Sequence, residues 1–186
     1  MRRIYLLFVL LFSGTYCVAQ AENPFKVYEY FQQYTGLFAL DEHPSVLADT
    51  NLIAIWKVEE EEDIHNYFVV ERGSINEYVF TYMNRGGTNR TYENFTAFMS
   101  KIGNVLFLNV GLYNYDTRKP EFFYLKVTDI DNSGWRATLS LVTDTTLKTL
   151  TSREAVRERI AQNLNNPKFY HQSVHFHKIL PLLYCK

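Results

Sequence analysis

The sequence predicts a mainly β protein: an antiparallel meander that closes into a barrel, with an N-terminal helix and a helix before the last strand. Three observations carry this expectation. Between residues 52 and 142, runs of β-branched, aromatic and leucine residues recur with short polar connections, as hairpin-linked neighbours require. Fourteen Tyr and fourteen Phe supply bulky side chains that can pack a β-rich core or line a pocket. After residue 142 the apolar period lengthens to that of a helix, then returns to that of a strand. About eight strands in chain order tend to close, because closure removes unpaired edges.

The elements follow in order. "MRRIYLLFVLLFSGTYCVAQAENPF" has a basic start at Arg2 and Arg3, an apolar run of nine residues from Ile4 to Phe12, and small residues after it. That run is too short to span a bilayer, so residues 1–20 read as a signal peptide and 21–186 as one barrel domain. The expected location is therefore exported, periplasmic or extracellular. In "NPFKVYEYFQQYTG", Asn23 suits an N-cap, Pro24 the first helical position and Gly36 a C-terminal cap. The strands then read 52–58, 66–72, 76–84, 92–102, 104–112, 121–130 and 134–142. Asp144–Leu150 suits a helical turn. "TSREAVRERIAQNL" (151–164) suits a helix with Thr151 and Glu154 as a capping box, a polar face of Arg153, Arg157, Glu158 and Arg159, and a stop at Pro167. A last strand is expected over 168–180.

Charge and cysteine content exclude several classes. Removing Arg2 and Arg3 from 19 basic residues leaves 17 against 20 acidic ones, a formal charge of −3. Only Glu59–Asp63 is clustered, so no nucleic-acid surface is expected. Signal-peptide cleavage would remove Cys17 and leave Cys185, so no internal disulfide is expected. No later segment is long and apolar enough for a transmembrane helix, and none is expected in the mature chain.

"AIW" at Ala54–Trp56 resembles the Gly-x-Trp of the first barrel strand in lipocalins and fatty-acid-binding proteins, with Ala in place of Gly. Residues 50–180 resemble a group of uncharacterised exported bacterial proteins that are lipocalin-like. The block Ile102–Val110 is the most recognisable part. The resemblance implies a calycin-type barrel and no particular activity.

The candidate chemistry is sparse. Glu59–Asp63 reads as a solvated turn, since consecutive carboxylates in a turn point apart. "DIDNSG" (129–134) imitates an EF-hand start, but the twelfth position is Ser140 and strands flank it, so it reads as a hairpin turn. No nucleophile motif is visible and no cofactor is expected. "FYHQSVHFHK" (169–178) places His171, His175 and His177 on one strand face, opposite the more apolar Tyr170, Val174, Phe176 and Leu180. The histidines are expected to look outward, with no metal bound.

In "NEYVFTYMN", bulk on both faces of residues 78–83 leads to the functional expectation. It is a non-enzymatic binding protein whose aromatic-lined interior takes a small hydrophobic ligand, contacted by Trp56, Tyr78, Phe80, Tyr82, Phe98 and Phe107. The alternatives are an envelope-associated interaction protein with a filled barrel and, third, a metal-dependent enzyme using His175 and His177. No protein partner is identifiable.

Overall fold

The computed structural model describes residues 33–181 apart from 49, 60–65, 75, 85–90, 115–118, 132 and 172. The expected signal peptide, nearly all of the N-terminal helix, most of Glu59–Asp63 and residues 85–90 lie outside the described residues.

The fold is a closed barrel of eight strands, each paired antiparallel to its chain neighbours, with the eighth returning to the first. The strands are β1 (Ala54–Val58), β2 (Asn66–Arg72), β3 (Glu77–Asn84), β4 (Thr91–Ile102), β5 (Val105–Asn114), β6 (Lys119–Ile130), β7 (Arg136–Leu141) and β8 (Val174–Pro181). One α-helix, α1 (Arg153–Gln162), lies between β7 and β8. The predicted meander and the helix before its last strand are therefore both present. No helix among the described residues is long and apolar enough to cross a membrane.

Local chemistry sets the tight turns. The pair Ile102↔Val105 leaves a two-residue link, Gly103–Asn104, and Gly103 takes φ +59°, which only glycine adopts at little cost. Between β6 and β7, Asp131 accepts from the backbone N–H of Trp135 (2.7 Å) and Arg136 (3.1 Å) and from Ser133 Oγ (2.7 Å). These donors hold its carboxyl below the usual range. "DIDNSG" is thus a hairpin turn, organised by one aspartate that mimics a backbone acceptor.

Helix α1 starts one residue later than the predicted box. Ser152, not Thr151, is the N-cap, and its side chain accepts from the Ala155 N–H at 3.1 Å. The last strand is also shorter than predicted. Asn166 caps a 3-10 turn over Pro167–Phe169 by accepting from the Lys168 N–H at 3.1 Å, so the chain turns before β8 begins. The Pro that stops the helix also suits the first position of a new turn.

Val156 and Ile160 of α1, with Leu147, Phe169 and Leu40, cover Ile102, Phe107, Tyr124 and Val142 on the outside of β4–β7. Seven of these nine side chains have no measurable exposure: Leu40, Phe107, Tyr124, Val142, Leu147, Val156 and Ile160. The arginines of α1 do more than face solvent. Arg153 Nε donates to Ala39 O (3.2 Å), and Arg157 donates to Leu40 O (3.1 Å), Lys101 O (3.0 Å) and the Asp41 carboxylate. The segment before β1 is thereby strapped across the barrel wall. Gly36, expected as a helix cap, has a different role: it exchanges two 2.8 Å backbone hydrogen bonds with Phe122, on the part of β6 that β7 does not reach. A Cβ there would collide with the Tyr124 hydroxyl, so close approach requires the glycine.

Candidate functional site

Side chains alternate across a strand, so the register divides the barrel into an outer and an inner face. The face that carries Phe107 and Tyr124 meets α1 and is outer. The other face runs Trp56↔Phe68↔Tyr82 across β1–β3 and Ala54↔Val70↔Phe80↔Phe95 across β1–β4. It continues through Ala97↔Val110↔Phe123 and reaches Ala137↔Phe176 and Phe176↔Val58 at the closure.

The six residues singled out from sequence therefore divide. Trp56, Tyr78, Phe80 and Tyr82 share the inner face. Phe98 and Phe107 are placed opposite, because Phe98 pairs with Asn109 and Phe107 with Ser100 and Lys126, all on the outer side. Phe107 is buried beneath the helix, and the Phe98 carbonyl accepts from the Asn109 amide of that layer at 3.2 Å. Sequence reasoning missed Phe68 and Phe95 as inner residues and assigned Phe176 only to a core-facing side. The signal was cross-strand: once Tyr82 and Phe80 are inner, their partners Phe68 and Phe95 must be as well.

Burial along the inner face is uneven. Ala54, Val70 and Tyr78 are at most 2% exposed, as in a packed core. Phe68, Phe80, Tyr82, Phe95 and Phe176 are each only partly buried although they face the interior of a closed sheet. Their rings meet edge to face: Phe68 and Phe176 are 5.9 Å apart at 74°, and Phe68 and Tyr82 are 5.2 Å apart, tilted by 45°. Tyr78 and Phe80 are 6.2 Å apart at 75°. These are favourable aromatic geometries.

Near the start of β1, polar and cation–π contacts gather around Trp56 and Lys178. Trp56 Nε1 donates to Leu52 O at 2.8 Å, and Lys178 Nζ lies 5.2 Å from the Trp56 ring centre and 6.0 Å from that of Trp135. Lys178 also donates to Asn51 O at 2.7 Å, so its charge is engaged by a carbonyl and two aromatic faces. On β6, Glu121 shares the inner face with Phe123, is 8% exposed, and accepts from Thr35 Oγ1 at 2.6 Å.

The histidine strand behaves as its alternation predicts from β8 onward. Val174 and Phe176 face inward; His175 is exposed on the outer face, and Thr138 Oγ1 lies 3.1 Å from its Nδ1. His177 stands between Arg136 and Lys57 in the register, and Arg136 Nε is ion-paired with the Glu59 carboxylate at 3.0 Å. His171 is exposed and precedes the strand. Among the described residues no three His, Cys, Asp or Glu side chains are grouped to hold a metal ion.

No known family, curated protein or solved structure matches this chain. The fold and the geometry of its inner face are thus the basis for a functional reading.

Proposed function

We propose that the barrel is a non-enzymatic binding protein whose aromatic inner wall holds a small hydrophobic molecule, in the manner of a lipocalin-like carrier. The observation that supports this is the partial exposure of Phe68, Phe80, Tyr82, Phe95 and Phe176 on the inner face of a closed sheet. In a barrel filled by its own side chains these rings would be as buried as Tyr78 is. Trp56 contributes to the wall, whereas Phe107 belongs to the layer under the helix and Phe98 lies on the outer face.

The same proposal places the protein outside the cytoplasm, with residues 1–20 as its signal peptide; the basic start and short apolar run support it. N-terminal sequencing of protein from its native host tests this part: the mature chain is expected to begin between Gln20 and Asn23. Native mass spectrometry of freshly purified protein tests the binding part. A retained small molecule, released on denaturation, is the expected result. A bare polypeptide mass together with no uptake of any apolar probe would contradict it.

A further inference from the structure

We infer that the ligand presents a flat ring system without negative charge to this wall, and that an anionic group on that ring system disfavours binding. The inference deepens the binding reading above and rests on it. Its first support is shape. Phe68, Tyr82 and Phe176 meet at tilts of 45° and 74°, and Phe95 lies across from Phe80, so the wall offers faces and edges and not a smooth aliphatic tube. A planar molecule can stack on one ring while meeting the edge of the next. A flexible alkyl chain gains no such contact and loses more rotamer freedom on binding.

The second support is electrostatic. The described basic residues at inner-face positions are Arg72, Lys101, Lys119 and Lys178. Arg72 and Lys101 stand at the hairpin end, and Lys119 opens β6; all three are exposed to solvent. Lys178 is engaged by Asn51 O and the two tryptophans. Two carboxylate residues hold positions on this face, Glu121 on β6 and Glu93 opposite Tyr82 on β4, and carboxylates repel an anion. An anionic group carried on the ring would be desolvated against phenyl rings with no compensating cation among the described wall residues, and that is strongly unfavourable.

Two probes with one aromatic frame make the test. N-phenyl-1-naphthylamine is neutral; 8-anilino-1-naphthalenesulfonate is the same frame with a sulfonate on the ring. Fluorescence titration of the wild-type protein is expected to show saturable binding of the neutral probe, tighter by about ten-fold or more than the sulfonate. Tyr82→Arg, which sets a cation into the wall, is expected to reverse that preference. Equal or tighter binding of the sulfonate by the wild type overturns the charge inference while leaving the binding reading intact. Binding of neither probe overturns both. A preference unchanged by Tyr82→Arg in a variant with wild-type circular dichroism places the probes elsewhere and also overturns it.

Discussion

The two sides of the barrel wall are both apolar, yet they are finished differently. The outer face of β4–β7 is covered by α1, by the 3-10 turn over Thr145–Thr149 and by the strap around Leu40, and its polar atoms are paired in detail. Asn109, with no measurable exposure, accepts from the Leu40 N–H (2.8 Å) and donates to Phe98 O (3.2 Å) and Ser100 Oγ (2.8 Å). Tyr124 donates to Phe38 O at 2.5 Å, and burial pushes its phenol far above the usual range. On the inner face, Val70, Tyr78, Ala97 and Met99 are buried, but Phe68, Phe80, Tyr82, Phe95 and Phe176 keep accessible surface. Dense coverage with most buried polar atoms paired, the Tyr170 hydroxyl being an exception, marks a layer that stabilises; partly exposed aromatic surface facing inward marks one that can receive something else.

This contrast can be broken most severely at the outer layer. Leu147→Ala removes a fully buried side chain between the 3-10 turn and the barrel, and is expected to cost about 2–5 kcal/mol in urea unfolding. It should leave probe affinity nearly unchanged. Phe80→Ala is expected to do the reverse: a smaller loss of stability, and a drop in neutral-probe affinity of about ten-fold. Equal effects of the two substitutions on both readouts would erase the distinction between the faces.

Asn109→Leu tests whether the outer layer depends on hydrogen bonding as well as volume. It leaves the Leu40 N–H without its acceptor, and about 1–3 kcal/mol of destabilisation is expected. Faster hydrogen exchange should appear at Leu40. Gly36→Ala should give a loss of similar or smaller size, about 1–3 kcal/mol, because the new methyl group overlaps the Tyr124 hydroxyl. Pairing the substitution with Tyr124→Phe should recover part of it; no recovery would mean the clash is not with that hydroxyl.

The smallest effect concerns pH. Burial of Asp144 opposes its ionisation, but Arg159 Nε at 2.6 Å and the Thr146 N–H and hydroxyl outweigh that, so its carboxyl titrates below the ordinary range. A lowered value in the folded state means the contribution is present above the unfolded carboxylate value, about 4, and is lost as pH falls through the folded one. Thermal midpoints measured from neutral pH downward should therefore fall less steeply below about pH 4 for Asp144→Asn than for the wild type.

The sequence made the barrel legible because its strands carry β-branched and aromatic runs bounded by turn residues. The Asp131–Gly134 turn was readable in it, and the break after Ile102 was placed at Gly103, one residue short of the Gly103–Asn104 link. The inner and outer faces were legible only where one of them is polar. In β8 the histidines mark the outside, and Phe176 falls inward as alternation requires. In β4 and β5, "FTAFMSKI" and "VLFLNV" carry bulk on both sides, since one side meets the lumen and the other meets α1. Parity could not be assigned from such runs, so Phe98 and Phe107 were grouped with the wrong neighbours in space. The strap was illegible for another reason: Thr35 to Glu121 and Leu40 to Asn109 are contacts 86 and 69 residues apart, and no local pattern encodes them.

The central claim is that the inner aromatic wall borders open space. An experimental high-resolution structure of the unliganded protein measures this directly, through the volume enclosed beside Phe68, Phe80, Tyr82, Phe95 and Phe176. The account predicts a continuous void of about 300 Å³ or more, the lower end for small-molecule sites. A lumen filled by the protein's own side chains would contradict it, and would turn attention to the outer surface as the working part of the molecule.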